Sequence, residues 1–281
     1  MKIGSSYSLE KLQISDLVAA KRIGFDFVEF YIDKYWTDIK ELELQLIAIR
    51  DILDSYDLFA IFHLPHLNSQ IIPDEDLWTS YVDQVTDQIE IIGKLGLTKK
   101  MVFHGVFGRT EYPENISIEK VDEIKDQAIR EWLDVVKRHN IKLMLENLDE
   151  SLKLIKPVFE RHKELSFTFD IGHANLVFPG SAHRDADEKI YSIFNAFEKR
   201  LEHIHVHDNI GGSAERDDLH LPIGTGNIDF LKFFRKLKEI KYSKTITLEI
   251  HNPLYLAIYL EASYKTIQEI LSEMLEKTKF S

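Results

Sequence analysis

The 281-residue chain contains no cysteine. Disulfides and thiolate ligands are thereby excluded, and any bound metal must be held by His, Asp and Glu. Long hydrophobic runs are missing too. Nothing approaches the ~20 apolar residues that a membrane span requires, so no membrane contact is expected. The opening Met1-Lys2-Ile3-Gly4 leads straight into a strand-like stretch. It has no basic segment followed by an apolar region and a small-residue cleavage site, and a cytoplasmic location is the expectation. Positive charge is scarce: 35 Lys and Arg stand against 47 Asp and Glu, for a net charge of −12. That balance argues against a broad basic surface for nucleic acid. A site rich in carboxylates would also add to the negative count, and bound cations would offset it. The Gly-x-Gly-x-x-Gly turn of a dinucleotide-binding open sheet does not follow the first strand candidate. With no Gly/Ser linker or low-complexity stretch, residues 1–281 read as one domain.

What is present is a regular alternation. Short β-branched and aromatic runs at residues 2–5, 25–31, 59–63, 100–104, 141–146, 166–170, 203–207 and 245–250 are separated by amphipathic stretches. Ile39, Leu42, Leu46, Ile49 and Leu53 recur at helical spacing, as do Val121, Ile124, Ala128, Leu133 and Val136. Eight strand-helix repeats predict an α/β protein built as a single (βα)8 TIM barrel, with the doubly wound open sheet as competitor. The connections after strands are the longer ones, as at residues 105–117 and 208–227. That asymmetry fits a barrel, whose functional groups sit on the loops after its strands.

Six consecutive strands then end in metal-capable side chains. The third ends at His63, the fourth at His104, and the fifth at Glu146-Asn147. The sixth ends at Asp170-Ile171-Gly172-His173, the seventh at His205-Val206-His207-Asp208, and the eighth at Glu249. Closure of the barrel would gather them at one rim. Each alone reads as an ordinary hydrogen-bonded His or a paired carboxylate. Together, in a chain without cysteine, they predict a site for divalent metal. Glu146 and Glu249 each follow an apolar run, and a carboxylate carried into such surroundings must be paired, protonated or metal-bound. The long loop after the seventh strand adds Asp218-Leu219-His220 ahead of Gly224-Thr225-Gly226-Asn227-Ile228.

These residues, in order and on matching strands over nearly the full chain, resemble the xylose isomerase-like barrels. That superfamily includes sugar and sugar-phosphate isomerases and epimerases as well as endonuclease IV. The resemblance to the isomerases and epimerases implies one divalent ion held by Glu146, Asp170, His205 and Glu249. It further implies that the two glutamates exchange the proton of a substrate carbon next to a carbonyl. His173, Arg216, His207 and Lys34 would then contact a sugar or sugar phosphate. The resemblance to endonuclease IV implies a three-zinc site that adds His63, His104, His173, Asp218 and His220 as ligands, and phosphodiester hydrolysis with DNA as partner. Zn, Mn, Mg and Co all accept such donors, so the expected cofactor is one to three divalent ions.

Departures from endonuclease IV favour the isomerase or epimerase reading. Leu148-Asp149-Glu150-Ser151 follows Glu146-Asn147 where that enzyme has a Thr-Ala-Gly-Gln-Gly type loop, and Ile171-Gly172 stands where it has a cysteine. The loops that enter DNA there read Asp33-Lys34-Tyr35-Trp36-Thr37-Asp38 and Leu64-Pro65-His66-Leu67-Asn68 here. A non-catalytic metal-binding scaffold is the third reading.

Overall fold

The alternation along the strands explains the architecture. In a β-strand successive side chains point to opposite faces. In each long strand of this chain one set is aliphatic or aromatic, and the other is rich in polar groups. The outward set, including Val28, Phe30, Phe62, Phe103, Leu145, Phe169, Ile204 and Leu248, joins the main buried core with the helices. The inward set faces the bore.

A computed structural model describes residues 1–32, 39–65, 74–105, 117–148, 152–177, 186–251 and 254–279. Its strands are β1 (Lys2–Ser8), β2 (Phe27–Tyr31), β3 (Phe59–His63), β4 (Thr98–His104), β5 (Lys142–Glu146), β6 (Ser166–Asp170), β7 (Leu176–Val177), β8 (Leu201–Val206), β9 (Gly212–Ser213) and β10 (Thr245–Leu248). Eight of them close a parallel barrel in the order β1-β10-β8-β6-β5-β4-β3-β2. The short β7 and β9 pair with each other, tying the segment after β6 to the segment after β8. The expected (βα)8 fold is therefore the observed one, and strands from the two ends of the chain meet in the β1 and β10 pair.

The helices are α1 (Ile14–Ile23), α2 (Ile39–Tyr56), α3 (Glu75–Leu95), α4 (Ile118–Arg138), α5 (Leu152–Arg161), α6 (Ile171–Asn175), α7 (Ala186–Phe197), α8 (Ala214–Asp217), α9 (Phe230–Glu239) and α10 (Leu256–Lys279). Of the stripe expected from Ile39, Leu42, Leu46, Ile49 and Leu53, the last four are buried and Ile39 is partly buried. Trp132 of α4 meets Phe103 of β4 edge to face, with centroids 5.7 Å apart. Helix α3 starts at Asp74, whose carboxylate accepts from the Leu77 amide at 3.0 Å and satisfies a donor that the first turn leaves open. Asp74→Ala should lower stability by about 1 kcal/mol in urea unfolding, and an unchanged midpoint would count against that capping role.

Inside the bore apolar and polar groups form separate clusters. Phe27, Ile61, Val102 and Met144, with Phe59 beside them, form a small apolar cluster on β2 to β5. Gly4 leaves room for it, because a Cβ there would lie 2.6 Å from the Phe27 ring. Beside it runs a hydrogen-bonded polar column that links β2 and β4 to β8 and β10. Lys100 Nζ donates to Thr245 Oγ1 (2.9 Å), which pairs with His203 Nδ1 (2.7 Å), while His203 Nε2 reaches Glu29 Oε2 (2.9 Å). Thr247 Oγ1 donates to the same Glu29 oxygen at 2.6 Å.

Candidate metal centre and catalytic rim

The inward positions at the C-terminal ends of the strands carry the groups that the sequence singled out. Glu146 ends β5 at 1% exposure and sits among four histidines. Its Oε2 lies 3.1 Å from His63 Nε2, 3.0 Å from His104 Nε2 and 3.1 Å from His205 Nδ1, and its Oε1 lies 3.1 Å from His173 Nδ1. Glu249 follows β10 and places Oε2 3.0 Å from the same His205 nitrogen. Asp170, at the end of β6, has Oδ2 3.9 Å from it.

Glu146, Asp170, His205 and Glu249 thus offer donor atoms that all lie within 4.8 Å of one another. One atom from each, Glu146 Oε1, Asp170 Oδ2, His205 Nδ1 and Glu249 Oε2, is buried without a hydrogen bond. Buried polar atoms are rarely left so, and four converging ones are the donor set that a divalent ion takes. The arrangement fits a metal on geometry as well as on residue type.

Further groups adjoin this one. His63 and His104 share Glu146, while His173, His207, Asp218 and His220 form a four-residue group on its other side. Eight of the nine expected metal-site residues are buried, and Asp218 is half-buried. The structure brings all nine together. Of the residues expected at a substrate, His173 belongs to this cluster and Arg216 lies exposed on α8, two positions before Asp218. His207 is buried and faces Asp170 and Asp218. Lys34 lies outside the described residues, as do Tyr35, Trp36, His66 and residues 149–151.

Several supporting groups were not anticipated. Glu29 of β2 is fully buried and faces His205 Nε2 at 3.1 Å through both of its oxygens, so that His205 turns Nδ1 to the rim. Tyr31 donates its hydroxyl to Glu249 Oε1 and stacks on His63, with centroids 4.4 Å apart. Asn147 clamps the neighbouring strand end. It donates to the Asp170 carbonyl (2.9 Å) and accepts from the Asp170 amide (3.0 Å). The signal for Glu29 was in plain view: a carboxylate in the middle of Phe27-Val28-Glu29-Phe30-Tyr31 must point inward if Val28 and Phe30 point to the helices.

Asp208 serves the backbone. Its carboxylate accepts from the amides of Asn209 (2.9 Å), Gly224 (3.0 Å), Gly226 (2.8 Å) and Ile228 (3.3 Å). The Gly-rich stretch is shaped around it, and a Cβ at Gly226 would lie 2.3 Å from Asp208 Oδ1.

Charge sets the ionisation of the cluster. Burial pushes Glu146 upward, but His104 and His205 outweigh it and hold the carboxyl well below its ordinary range. Burial likewise opposes ionisation of Glu249, and His205 and His220 reverse the outcome. Burial lowers His220, yet Glu249 and Asp218 raise it to about 8. A raised histidine stabilises the fold fully below its ordinary 6.5, and that contribution is lost as pH rises through about 8. Depressed carboxylates act in the opposite sense, stabilising above their ordinary 4.5 and failing in acid. Chelator-treated protein should therefore be most stable between these limits, and His220 alone should contribute on the order of 2 kcal/mol that disappears by pH 9. Urea unfolding at pH 6 and pH 9 checks this. Added zinc should remove the alkaline loss, since metal binding prefers neutral imidazole.

This is a parallel α/β barrel with a carboxylate and histidine rim suited to divalent metal. Residues 17–274 match the family model described as Xylose isomerase-like TIM barrel, and the chain belongs to that family. The chain is 30% identical to uncharacterized protein MJ1311 of Methanocaldococcus jannaschii over 247 residues, covering 81% of this chain and 74% of that protein. It is 25% identical to a probable endonuclease 4 of a Thermotoga species over 201 residues, 65% of this chain and 66% of that one. Among solved structures, a D-tagatose 3-epimerase-like protein superposes with a TM-score of 0.71 at 26% identity, covering 99% of this chain and 100% of the other. Among the described residues no helix is long and apolar enough to cross a membrane.

Proposed function

We propose that the chain is a metal-dependent isomerase or epimerase of a sugar or sugar phosphate, with the reaction at the Glu146, Asp170, His205 and Glu249 group. The supporting observation is the pair of glutamates. They arrive from β5 and from the segment after β10, and place carboxylate oxygens 3.1 and 3.0 Å from one imidazole nitrogen. Moving a proton next to a carbonyl needs a base, an acid and a group to hold the charge that develops on oxygen. A divalent ion held by these four residues would supply the last as a Lewis acid. One glutamate takes the proton from carbon and the other returns one, to the opposite face in an epimerase or to the adjacent carbon in an isomerase. Tyr31 steadies Glu249 through its hydroxyl. The likeness to a D-tagatose 3-epimerase-like protein over nearly the whole chain agrees with this reading.

The test is exchange of the substrate proton with solvent. Protein loaded with Zn, Mn, Mg or Co is offered a panel of ketoses and ketose phosphates in deuterated water. Deuterium should enter at the carbon beside the carbonyl, with an isomer or epimer as product. No wash-in with any metal across the panel would defeat the proposal.

One observation favours a second reading, phosphodiester hydrolysis of the endonuclease IV type. Glu146 touches His63, His104 and His173 as well as His205, a position suited to a carboxylate that bridges ions. Two or more adjacent ions would stabilise both the attacking and the leaving oxygen. Nicking of a duplex containing an abasic site would favour this reading. Under it His63→Ala and His104→Ala each lower the number of ions bound per chain, and unchanged stoichiometry would count against it.

A further inference from the structure

We propose that Lys100, near the start of β4, sets the direction of the hydrogen bonds that climb the bore, and through them aims His205 at its metal ion. Resting on the reading of His205 as a metal ligand, and on neither reaction, this makes Lys100 a positioning residue. It acts from the opposite end of the barrel on a side chain that it does not touch.

Lys100 reaches across the bore. Strands β5, β6 and β8 separate β4 from β10 one way round, and β3, β2 and β1 the other, so the two stand opposite each other. Yet Lys100 Nζ donates to Thr245 Oγ1 of β10 at 2.9 Å, and also to the Glu202 carbonyl at 2.8 Å. Thr245 has a single hydroxyl proton and two acceptors for it, His203 Nδ1 at 2.7 Å and that same carbonyl at 3.5 Å. An ammonium donates and never accepts. By filling both the hydroxyl oxygen and the carbonyl, Lys100 turns the Thr245 proton toward His203. Lys142 and Lys244 are held by the Glu202 carboxylate at 2.7 and 2.8 Å, and among the described residues Lys100 is the cation bonded to Thr245.

The rest of the column follows from that first step. A second cation this near the ammonium is costly in the interior, so the buried His203 is neutral and holds one ring proton. With Nδ1 accepting from Thr245, that proton sits on Nε2 and is donated to Glu29 Oε2 at 2.9 Å. Thr247 donates to the same oxygen at 2.6 Å. Every bond then points toward Glu29, which receives His205 Nε2 from the other side at 3.1 Å and leaves Nδ1 for the ion.

The reverse order is built in as well. Without the ammonium, Thr245 can give its proton to the Glu202 carbonyl and accept from His203 Nδ1 instead. His203 Nε2 then bears a lone pair, and Thr247 Oγ1, 3.0 Å away, is the ready donor to it. Glu29 alone is left short. It loses the donors His203 and Thr247, and its Oε2 faces a lone pair at 2.9 Å, which repels the carboxylate from its seat behind His205. Bonds in such a chain polarise and reinforce one another, so the network takes one direction or the other as a whole. The cation at its foot chooses between them.

The test uses the full chain, stripped with chelator and carrying isotope-labelled histidine. Long-range proton–nitrogen spectra show which ring nitrogen holds the proton, and the His203 signals are those that His203→Gln removes. Wild type should have His203 protonated at Nε2. Lys100→Met, which keeps the length of the side chain and removes its donors, should move that proton to Nδ1. In isothermal titration its zinc affinity should fall by roughly 10-fold, the low end of the range for groups that orient a ligand from behind. Lys100→Arg, which still only donates, should keep the wild-type proton position. If circular dichroism shows Lys100→Met to be misfolded, Lys100→Gln takes its place and should show both positions, because an amide also accepts. A lysine that merely supports the fold would change stability and leave the His203 proton where it was. His203 protonated at Nδ1 in wild type, or at Nε2 alone in the folded Met or Gln variant, would overturn the proposal. A moved proton with unchanged zinc affinity would overturn the link to His205. Wild type that binds no zinc would defeat the metal centre itself, and the proton position, read without metal, tells that failure from this one.

Discussion

Glu146→Gln should lower kcat/KM by roughly 10³-fold while leaving the far-ultraviolet circular dichroism of the barrel unchanged, the scale expected when a proton-transferring group is removed. The amide preserves shape and volume, so the outward core of β5, with Leu143 and Leu145, is untouched. What changes is charge. Glu146 stays ionised because His104 and His205 outweigh the cost of its burial, and the amide carries nothing to answer them. Glu249→Gln should behave alike, since its carboxylate meets the same His205 nitrogen at 3.0 Å. Steady-state turnover on the substrate found by the wash-in screen decides the matter. Either variant working at wild-type rate would remove that glutamate from the reaction.

Glu29→Gln should weaken divalent-ion affinity by roughly 10–100-fold without replacing any residue that would contact the ion. Burial opposes its charge, but His205 and His203 overcome that and keep it ionised well below the ordinary range. In that form it accepts from His205 Nε2, fixing the tautomer that leaves Nδ1 for the rim. An amide can present its NH2 to His205 and reverse the tautomer. Isothermal titration with zinc measures the loss directly. Equal affinity in the two proteins would show that His205 is oriented by its neighbours on the rim alone.

Much of this was legible in the amino-acid order because the fold depends on period. The strands expected at residues 59–63 and 166–170 are the strands observed. The first strand runs on to Ser8, past the expected residue 5, because Ser6 and Tyr7 continue the pairing with β2. The rim was legible where a titratable residue ended an apolar run, as at His63, Glu146 and Asp170. Glu29 and His203 were not legible that way, since each lies inside a strand; only the two-residue alternation marks them as inward. Asp208 reads like its neighbours in sequence, yet the chain folds four amides onto it, and that follows from the turn at Gly224 and Gly226, which spacing does not reveal. The pairing of β7 with β9 involves two residues on each side, too few to carry a pattern.

The divided bore has an evolutionary corollary. Phe27, Ile61, Val102 and Met144 fill space, and volume-conserving exchanges among apolar residues typically cost less than ~1.5 kcal/mol. Beside them, Glu29, His203, Thr245 and Lys100 form a sequence of donors and acceptors in which every member answers the next, so no single replacement of similar bulk restores the series. Drift should therefore run at two speeds within one barrel: quick and nearly silent in the oily cluster, and slow, or only in concerted steps, along the wet column.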